Sequence, residues 1–211
     1  MFRTLKSPTD VQVEITDCCN ITMLKFIYNK EEEFKIWDGL KEAIKEPVRS
    51  ITEKDIKEVS VSSVTAEAMV AKVEKDWLAI EPNFLTQLGK FYRRKLEPAE
   101  NLTAFLVRYY RFPYWYRGEK CWFAVPLFTS QIERTRVIMH ELCHFYQPLK
   151  LPESVKEAIP VILNDHDLFK MYREERGHAD PEEQKWRKII WESYQKGKSL
   201  WDILKEENVA H

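Results

Sequence analysis

The sequence predicts an α+β fold in one domain, with a small mixed or antiparallel sheet followed by a mostly helical C-terminal part. Two stretches rich in β-branched and aromatic residues, 11–28 and 101–128, have the composition of strands. Through most of the remaining chain, apolar residues recur at the spacing of an α-helix. Because no repeat or low-complexity linker interrupts the 211 residues, residues 1–211 are expected to form a single domain.

The first hundred residues, 1–100, are predicted to form an N-terminal α/β part. Its strands are expected within 11–28 and near 55–63, and its helices at 30–46, 65–80 and 82–96. In the first of these helices the apolar spacing is carried by Phe34, Trp37, Leu40 and Ile44, and Pro47 ends the helix.

Residues 101–128 are predicted to form a β-hairpin. Two strand-like runs flank the turn-forming residues of the segment "PYWYRGEK". Pro126 stands in the second run, and a proline cannot donate a hydrogen bond to a neighbouring strand. The second strand is therefore expected either to lie at an edge of the sheet, beside the helix that follows, or to end at this proline.

A helix is predicted at residues 130–147. Ser130 and Glu133 match the Ser-x-x-Glu capping box of a helix start, and Pro148 stops the helix. An apolar stripe runs along it, formed by Ile132, Thr135, Ile138, Met139, Leu142 and Phe145. Residues 152–211 are predicted to be helical, with a disturbance at Pro160 and one or two further helices after residue 181.

The charge and the cysteine content indicate which kinds of partner and which cellular compartment to expect. The formal net charge is −1 with no long basic block, so neither a nucleic acid nor a membrane is expected as a partner. No apolar leader and no run of about 18 apolar residues is found, which predicts a cytoplasmic location. The four cysteines, Cys18, Cys19, Cys121 and Cys143, do not match a disulfide framework and are expected to be reduced. Metal ligation or redox chemistry at the adjacent pair is the alternative.

The segment "VIMHELCHF" places three functional side chains on one turn of the predicted helix. His140 and His144 are four residues apart, so both rings can reach one zinc ion. Glu141 lies about 100° around the helix, where it can act as general base on a zinc-bound water. The alternative is an amphipathic helix with solvated or core histidines. The motif lies in mid-helix behind its own cap, and two of the five histidines of the chain share one turn, which favours zinc.

This segment resembles the active-site helix of the zincins, the His-Glu-x-x-His zinc metallopeptidases. The metzincin branch needs a third histidine six residues after the second, and Lys150 occupies that position. What remains resembles the gluzincins, which take a glutamate from the next helix. The resemblance implies a zincin-like domain that holds Zn²⁺ and cleaves a peptide or protein substrate, laid as an extended strand beside the strand that precedes the helix.

The third zinc ligand is expected on the helix after the 148–151 turn. If the two helices are antiparallel, a rise of about 1.5 Å per residue brings Glu157 level with the middle of the histidine pair. Glu153 would lie near the open end of the helix pair. Asp165, His166 and Asp167 are further candidates. Ser154 and Glu157 also match a capping box, which would turn this carboxylate towards the backbone instead.

The remaining roles are open among several residues. The oxyanion stabiliser that a peptidase needs is sought among His166, Tyr172, His178 and Tyr194. Of these, His178 is taken as the second candidate catalytic residue because it stands in a turn beside Gly177, although an exposed turn histidine would look the same. Side chains that orient the zinc ligands are sought among Asn164, Asp165 and Asp167. Two other functions stay open: a non-enzymatic zincin-like binding module with structural or no zinc, and hydrolysis of a non-peptide amide.

Overall fold

A computed structural model describes residues 24–29, 63–98, 102–108, 115–116, 121–127, 129–147, 150–165 and 179–209. The strands in these ranges are β1 (Lys25–Ile27), β2 (Leu102–Val107), β3 (Trp115–Tyr116) and β4 (Cys121–Pro126). The helices are α1 (Ser63–Leu78), α2 (Glu81–Tyr92), α3 (Gln131–Tyr146), α4 (Glu153–Asp165), α5 (Pro181–Gln195) and α6 (Leu200–Glu206). The fold is therefore mixed α+β, as predicted.

The four described strands form one sheet in the order β1-β2-β4-β3. Strand β2 pairs in parallel with both β1 and β4, and β3 pairs antiparallel with β4. One face of the sheet points into the core, where Phe123 lies 6.2 Å from Phe145 between ring centroids. The opposite face carries Phe105 and Trp122, whose rings meet edge to face at 5.8 Å.

The hairpin predicted for residues 101–128 is wrong in its pairing. The two long strands, β2 and β4, are parallel neighbours, and the antiparallel partner of β4 is the two-residue strand β3. The strands follow one another in the chain as β2, β3 and β4, whereas in the sheet β4 lies between β2 and β3. The edge position predicted for β4 is also wrong, because β4 lies between β2 and β3. The alternative reading of Pro126 is confirmed, since β4 ends at this residue.

Helix α3 follows β4 after a short connection, and hydrogen bonds hold the start of the helix in place. The Ser130 hydroxyl accepts a bond from the Glu133 backbone N–H at 3.2 Å, as a helix N-cap does. The Glu133 carboxylate contacts the guanidinium of Arg136. The buried Arg134 donates to the carbonyls of Leu127 and Thr129, so the start of α3 is tied to the end of β4.

The apolar stripe predicted for α3 is buried along most of its length. Ile138, Met139 and Leu142 are 2% exposed or less and belong to the core. Ile132 is the exception, with 47% of its surface exposed. It lies in the first turn of α3, so the stripe is not buried at this end of the helix.

The C-terminal end of α3 is anchored to the segment that leaves α2. The Arg94 guanidinium donates to the Tyr146 carbonyl at 2.6 Å, and the Tyr146 hydroxyl donates to the Glu97 carbonyl at 2.7 Å. The bond from Arg94 satisfies the Tyr146 carbonyl, one of those that a helix end leaves without an intrahelical partner. The backbone of Arg94 comes so close to α2 that residue 89 must be glycine. A Cβ at Gly89 would lie 2.6 Å from the Arg94 carbonyl oxygen.

Helices α4, α5 and α6 form the C-terminal part, and α4 packs between α3 and α5. Pro160 lies inside α4, which continues from Glu153 to Asp165 without the break in helix assignment that a disturbance could have caused. The tail forms two helices, and α6 begins with a capping box between Ser199 and Asp202. None of the helices in the described ranges combines the length and apolar run that a membrane span requires.

Several predictions lie outside the described residues. These are the helix at 30–46, most of the strand stretch at 11–28, the strand near 55–63, the adjacent cysteines Cys18 and Cys19, and the functional candidates His166, Asp167, Tyr172 and His178. The two other cysteines, Cys121 and Cys143, are buried free thiols.

Candidate metal centre

Helices α3 and α4 bring His140, His144 and Glu157 together. The two histidine Nε2 atoms are 3.0 Å apart. The Glu157 carboxylate oxygens lie 3.4 Å from Nε2 of His140 and 3.5 Å from Nε2 of His144. The spacing of four positions from His140 to His144 places both rings on one face of α3, and the packing of α4 supplies the carboxylate.

The spacing of these atoms fits the first coordination shell of a tetrahedral zinc ion. Bonds of about 2.0–2.1 Å at tetrahedral angles place ligand atoms roughly 3.3 Å apart, close to the three distances observed. Two imidazoles and a carboxylate are also the donor set that zinc accepts in hydrolytic sites. The residues present therefore fit the metal that the sequence predicts, and three protein donors meet within the described part of the chain.

Burial sets the protonation state of His144. Desolvation, and after it the neighbouring His140 ring, lowers the pKa of His144 from 6.5 to about 4, against the opposing effects of Glu157, Gln147 and Glu153. At neutral pH this imidazole is uncharged and has a lone pair to offer, which is the state in which histidine binds a metal.

Among the candidates for a third ligand, the structure brings Glu157 to the histidines and holds Glu153 elsewhere. The Glu153 side chain is 72% exposed and pairs with Lys156 at 3.2 Å. Helix α4 begins at Glu153, so Ser154 lies within the helix and not at its N-cap. The capping-box alternative for Glu157 therefore does not hold. The side chains of Asn164 and Asp165 are not among those described.

Glu141 is 1% exposed on the same helix as the two histidines. Keeping a carboxylate inside a protein is unfavourable unless polar groups or a cation compensate it. A glutamate at this position of the helix directly follows His140 in sequence and is turned about 100° from it around the helix axis. Its placement is compatible with the role of general base.

Tyr194 is the one oxyanion candidate within the described ranges, and it packs as an aromatic residue. Its ring lies 5.2 Å from the ring of Phe91 and 6.0 Å from that of Trp191, measured between centroids. These contacts place it against the apolar core. His178, the second predicted catalytic residue, lies outside the described ranges, so its role stays a prediction.

Sequence reasoning missed Gln147. Its amide oxygen lies 3.3 Å from Nδ1 of His144, and its amide nitrogen donates to the Lys156 carbonyl at 2.9 Å. The sequence predicts the residue that orients a ligand further along the chain, among Asn164, Asp165 and Asp167. The available signal was local, since a side chain three residues after a helical histidine lies on the same face.

No protein-family model, curated protein or solved structure matches this chain. The resemblance to the zincins is therefore carried by the motif on α3 and by the three residues that meet at its face.

Proposed function

We propose that this protein is a zinc-dependent metallohydrolase, most specifically a peptidase, with His140, His144 and Glu157 as metal ligands and Glu141 as general base. The observation that carries the proposal is the convergence of the three ligands from two helices, beside a buried glutamate of the same motif. The finer description of the fold as zincin-like belongs to this proposal and rests on the same residues.

The metal, when bound, would act as a Lewis acid that polarises a carbonyl and lowers the pKa of water. The residues of the chain supply the rest. His140 and His144 would hold the metal through ring nitrogens, and Glu157 would add a negative charge that balances the cation. Glu141 takes the proton of the attacking water and then delivers it to the leaving amine. Burial of Glu141 keeps this proton transfer away from bulk solvent.

The sheet offers a place for an extended peptide. Within the described ranges, β3 pairs with β4 only at Trp122 and Phe123. The outer side of β4 beyond Phe123 is the side on which a further strand could add, through backbone hydrogen bonds. A peptide or protein substrate fits this surface, and no nucleic acid or membrane is required. A cytoplasmic location is part of the proposal and agrees with the free thiols of Cys121 and Cys143.

The function is tested by combining metal analysis with a digest of a broad peptide library by the full chain. We expect about one zinc per chain, cleavage that a chelator abolishes, and recovery when zinc is restored. Glu141→Gln should keep the metal and lower the rate by roughly 10²–10⁴-fold. Glu133→Gln is the matched control, because it makes the same change on the same helix at a partly exposed pair with Arg136.

Two outcomes would overturn the proposal. A protein that takes up no transition metal on titration is not a metallohydrolase. A protein that binds zinc through four protein ligands and cleaves nothing is the non-enzymatic binding module instead. Chelator-sensitive hydrolysis of a non-peptide amide, with no peptide cleaved, would keep the chemistry and change the substrate class.

A further inference from the structure

Gln147 bridges the two helices that carry the ligands. It follows directly after α3 and is 5% exposed. Its amide oxygen faces Nδ1 of His144 at 3.3 Å, while its amide nitrogen donates to the Lys156 carbonyl of α4 at 2.9 Å. One side chain thus contacts a ligand of α3 and the residue immediately before the ligand Glu157 of α4.

The Lys156 carbonyl is available to Gln147 because of Pro160. In a regular α-helix, the carbonyl of residue 156 accepts a hydrogen bond from the N–H of residue 160. Proline has no N–H, so this bond cannot form inside α4. The Gln147 amide supplies a donor to the same carbonyl from outside the helix. The proline that disturbs α4 therefore creates the point at which Gln147 attaches to it.

The direction of these two bonds determines which nitrogen of His144 carries the proton. A carbonyl only accepts, so the amide group facing Lys156 must be the nitrogen of Gln147 and the group facing His144 must be the oxygen. An amide oxygen also only accepts, and Nδ1 of the neutral ring must then be the protonated nitrogen. Nε2, which faces His140 and Glu157, keeps its lone pair.

We propose that Gln147 is a positioning residue for the metal centre, which couples the tautomer of His144 to the placement of α4 through the Lys156 carbonyl, to which Pro160 cannot donate. The inference rests on the proposed metal site and deepens it. The same amide group that holds Nδ1 protonated also fixes the backbone next to Glu157. It therefore orients one ligand and sets the distance of another.

The tautomer is measured first, in the metal-free full chain, by ¹⁵N NMR of the histidine rings at neutral pH. Wild-type His144 should show a protonated Nδ1 and an unprotonated Nε2. Gln147→Met keeps the length of the side chain without its polar amide and should shift the ring towards the other tautomer. Gln147→Glu restores an acceptor for Nδ1 and should restore the wild-type tautomer. Gln131→Met, at an exposed position of α3, is the matched control and should change nothing.

Zinc affinity is measured second, by competition with a chromophoric chelator. Gln147→Met should weaken zinc binding by roughly tenfold, the lower end of the range for residues that orient metal ligands. Pro160→Ala restores an N–H that competes for the Lys156 carbonyl, so it should weaken binding several-fold while favouring the helix. The double variant should lose less than the product of the two single losses, because both changes break the same bond.

The outcomes separate this inference from the function itself. If the wild type binds no zinc, the proposed function fails, whereas the tautomer measurement still tests the bridge. If Gln147→Met leaves the His144 tautomer unchanged, or leaves zinc affinity within twofold of the wild type, Gln147 is not a positioning residue. If the losses in Gln147→Met and Pro160→Ala multiply independently, the coupling through the Lys156 carbonyl is wrong.

Discussion

Two glutamates that the fold largely removes from solvent, Glu157 on α4 and Glu183 on α5, have different kinds of partner. The Glu183 side chain is 2% exposed and pairs with Arg187, four residues along its own helix, at 2.9 Å. Glu157 is 19% exposed and faces His140 and His144 from another helix, at 3.4 and 3.5 Å. Glu183 is paired with an arginine of its own helix, whereas Glu157 contacts two imidazole rings of a neighbouring helix.

The difference separates a structural acid from a candidate ligand. A guanidinium keeps its charge at every pH at which the protein is folded, so Glu183 is compensated at all times. His144 is uncharged near neutral pH, so it does not neutralise the Glu157 carboxylate. The carboxylate charge and the imidazole lone pair then face the same point between the two helices. A divalent cation is the partner that suits such a point. The comparison predicts that Glu183 matters for stability and Glu157 for metal binding.

The largest expected effect on stability is at Glu183. Glu183→Ala should lower the free energy of unfolding of the metal-free protein by about 3 kcal/mol, because it leaves the mostly buried Arg187 without its carboxylate. Denaturant unfolding measures this, with Glu182→Ala as the control at a 61% exposed position and an expected change within about 0.5 kcal/mol. The zinc affinity of Glu183→Ala should stay within threefold of the wild type. A tenfold loss of zinc affinity would show that Glu183 also supports the metal site.

Zinc itself should stabilise the protein only through the α3–α4 site. At free zinc one hundred times the dissociation constant, the free energy of unfolding should rise by about 2.7 kcal/mol, provided the unfolded chain binds zinc weakly. Glu183→Ala should gain the same increment from a lower starting value, and His140→Ala should gain almost none. Unfolding curves with and without zinc measure these increments, and equal stabilisation of His140→Ala would show that zinc binds elsewhere.

Glu157→Ala should weaken zinc binding by roughly tenfold or more, about 1.4 kcal/mol. Glu153→Ala should leave the affinity within about threefold, because its exposed side chain pairs with Lys156 and not with the histidines. A competition titration against a chromophoric chelator compares the two folded variants. Loss of the metal in Glu153→Ala and not in Glu157→Ala would show that α4 is set in another register. If neither change matters, residues 165–167 should be tested next.

The smallest effect distinguishes two serines that share the Ser-x-x-Glu pattern. Ser130→Ala should cost about 1 kcal/mol of stability, since its hydroxyl caps α3. Ser154→Ala should cost less than about 0.5 kcal/mol, because Ser154 lies inside α4. Zinc affinity should change by less than twofold in both. Thermal or denaturant unfolding measures the contrast, and equal costs would mean that Ser154 also caps a helix.

The local part of the site was readable from the sequence. The spacing of His140, Glu141 and His144 determines their common position on a helix, because helical periodicity depends only on neighbours in the chain. The cap at Ser130 and the end of α3 before Pro148 follow from residues within a few positions of each helix end. Glu157 was preferred over Glu153 from the rise per residue and the length of the turn, and the structure does bring it to the histidines.

Strand pairing was not readable in the same way. The turn residues between β2 and β4 predict an antiparallel pair, but β2 and β4 are parallel neighbours and the antiparallel partner of β4 is β3. Strand direction depends on which edges meet in space, and residues far apart in sequence decide that. Ile132 shows the same limit, because a helical pattern gives the apolar face and not the point at which neighbouring elements cover it.

The sequence by itself determined the composition of the candidate site and the helix that bears its motif, because both depend on short-range geometry. Only the tertiary structure decided which residues of other elements join that helix to complete the candidate site. The packing of α4 against α3 selected Glu157 as the third member, buried His144 enough to lower its pKa, and placed the Lys156 carbonyl within reach of Gln147. These are contacts between elements, and their distances follow from how side chains fill the interface and not from spacing along either helix.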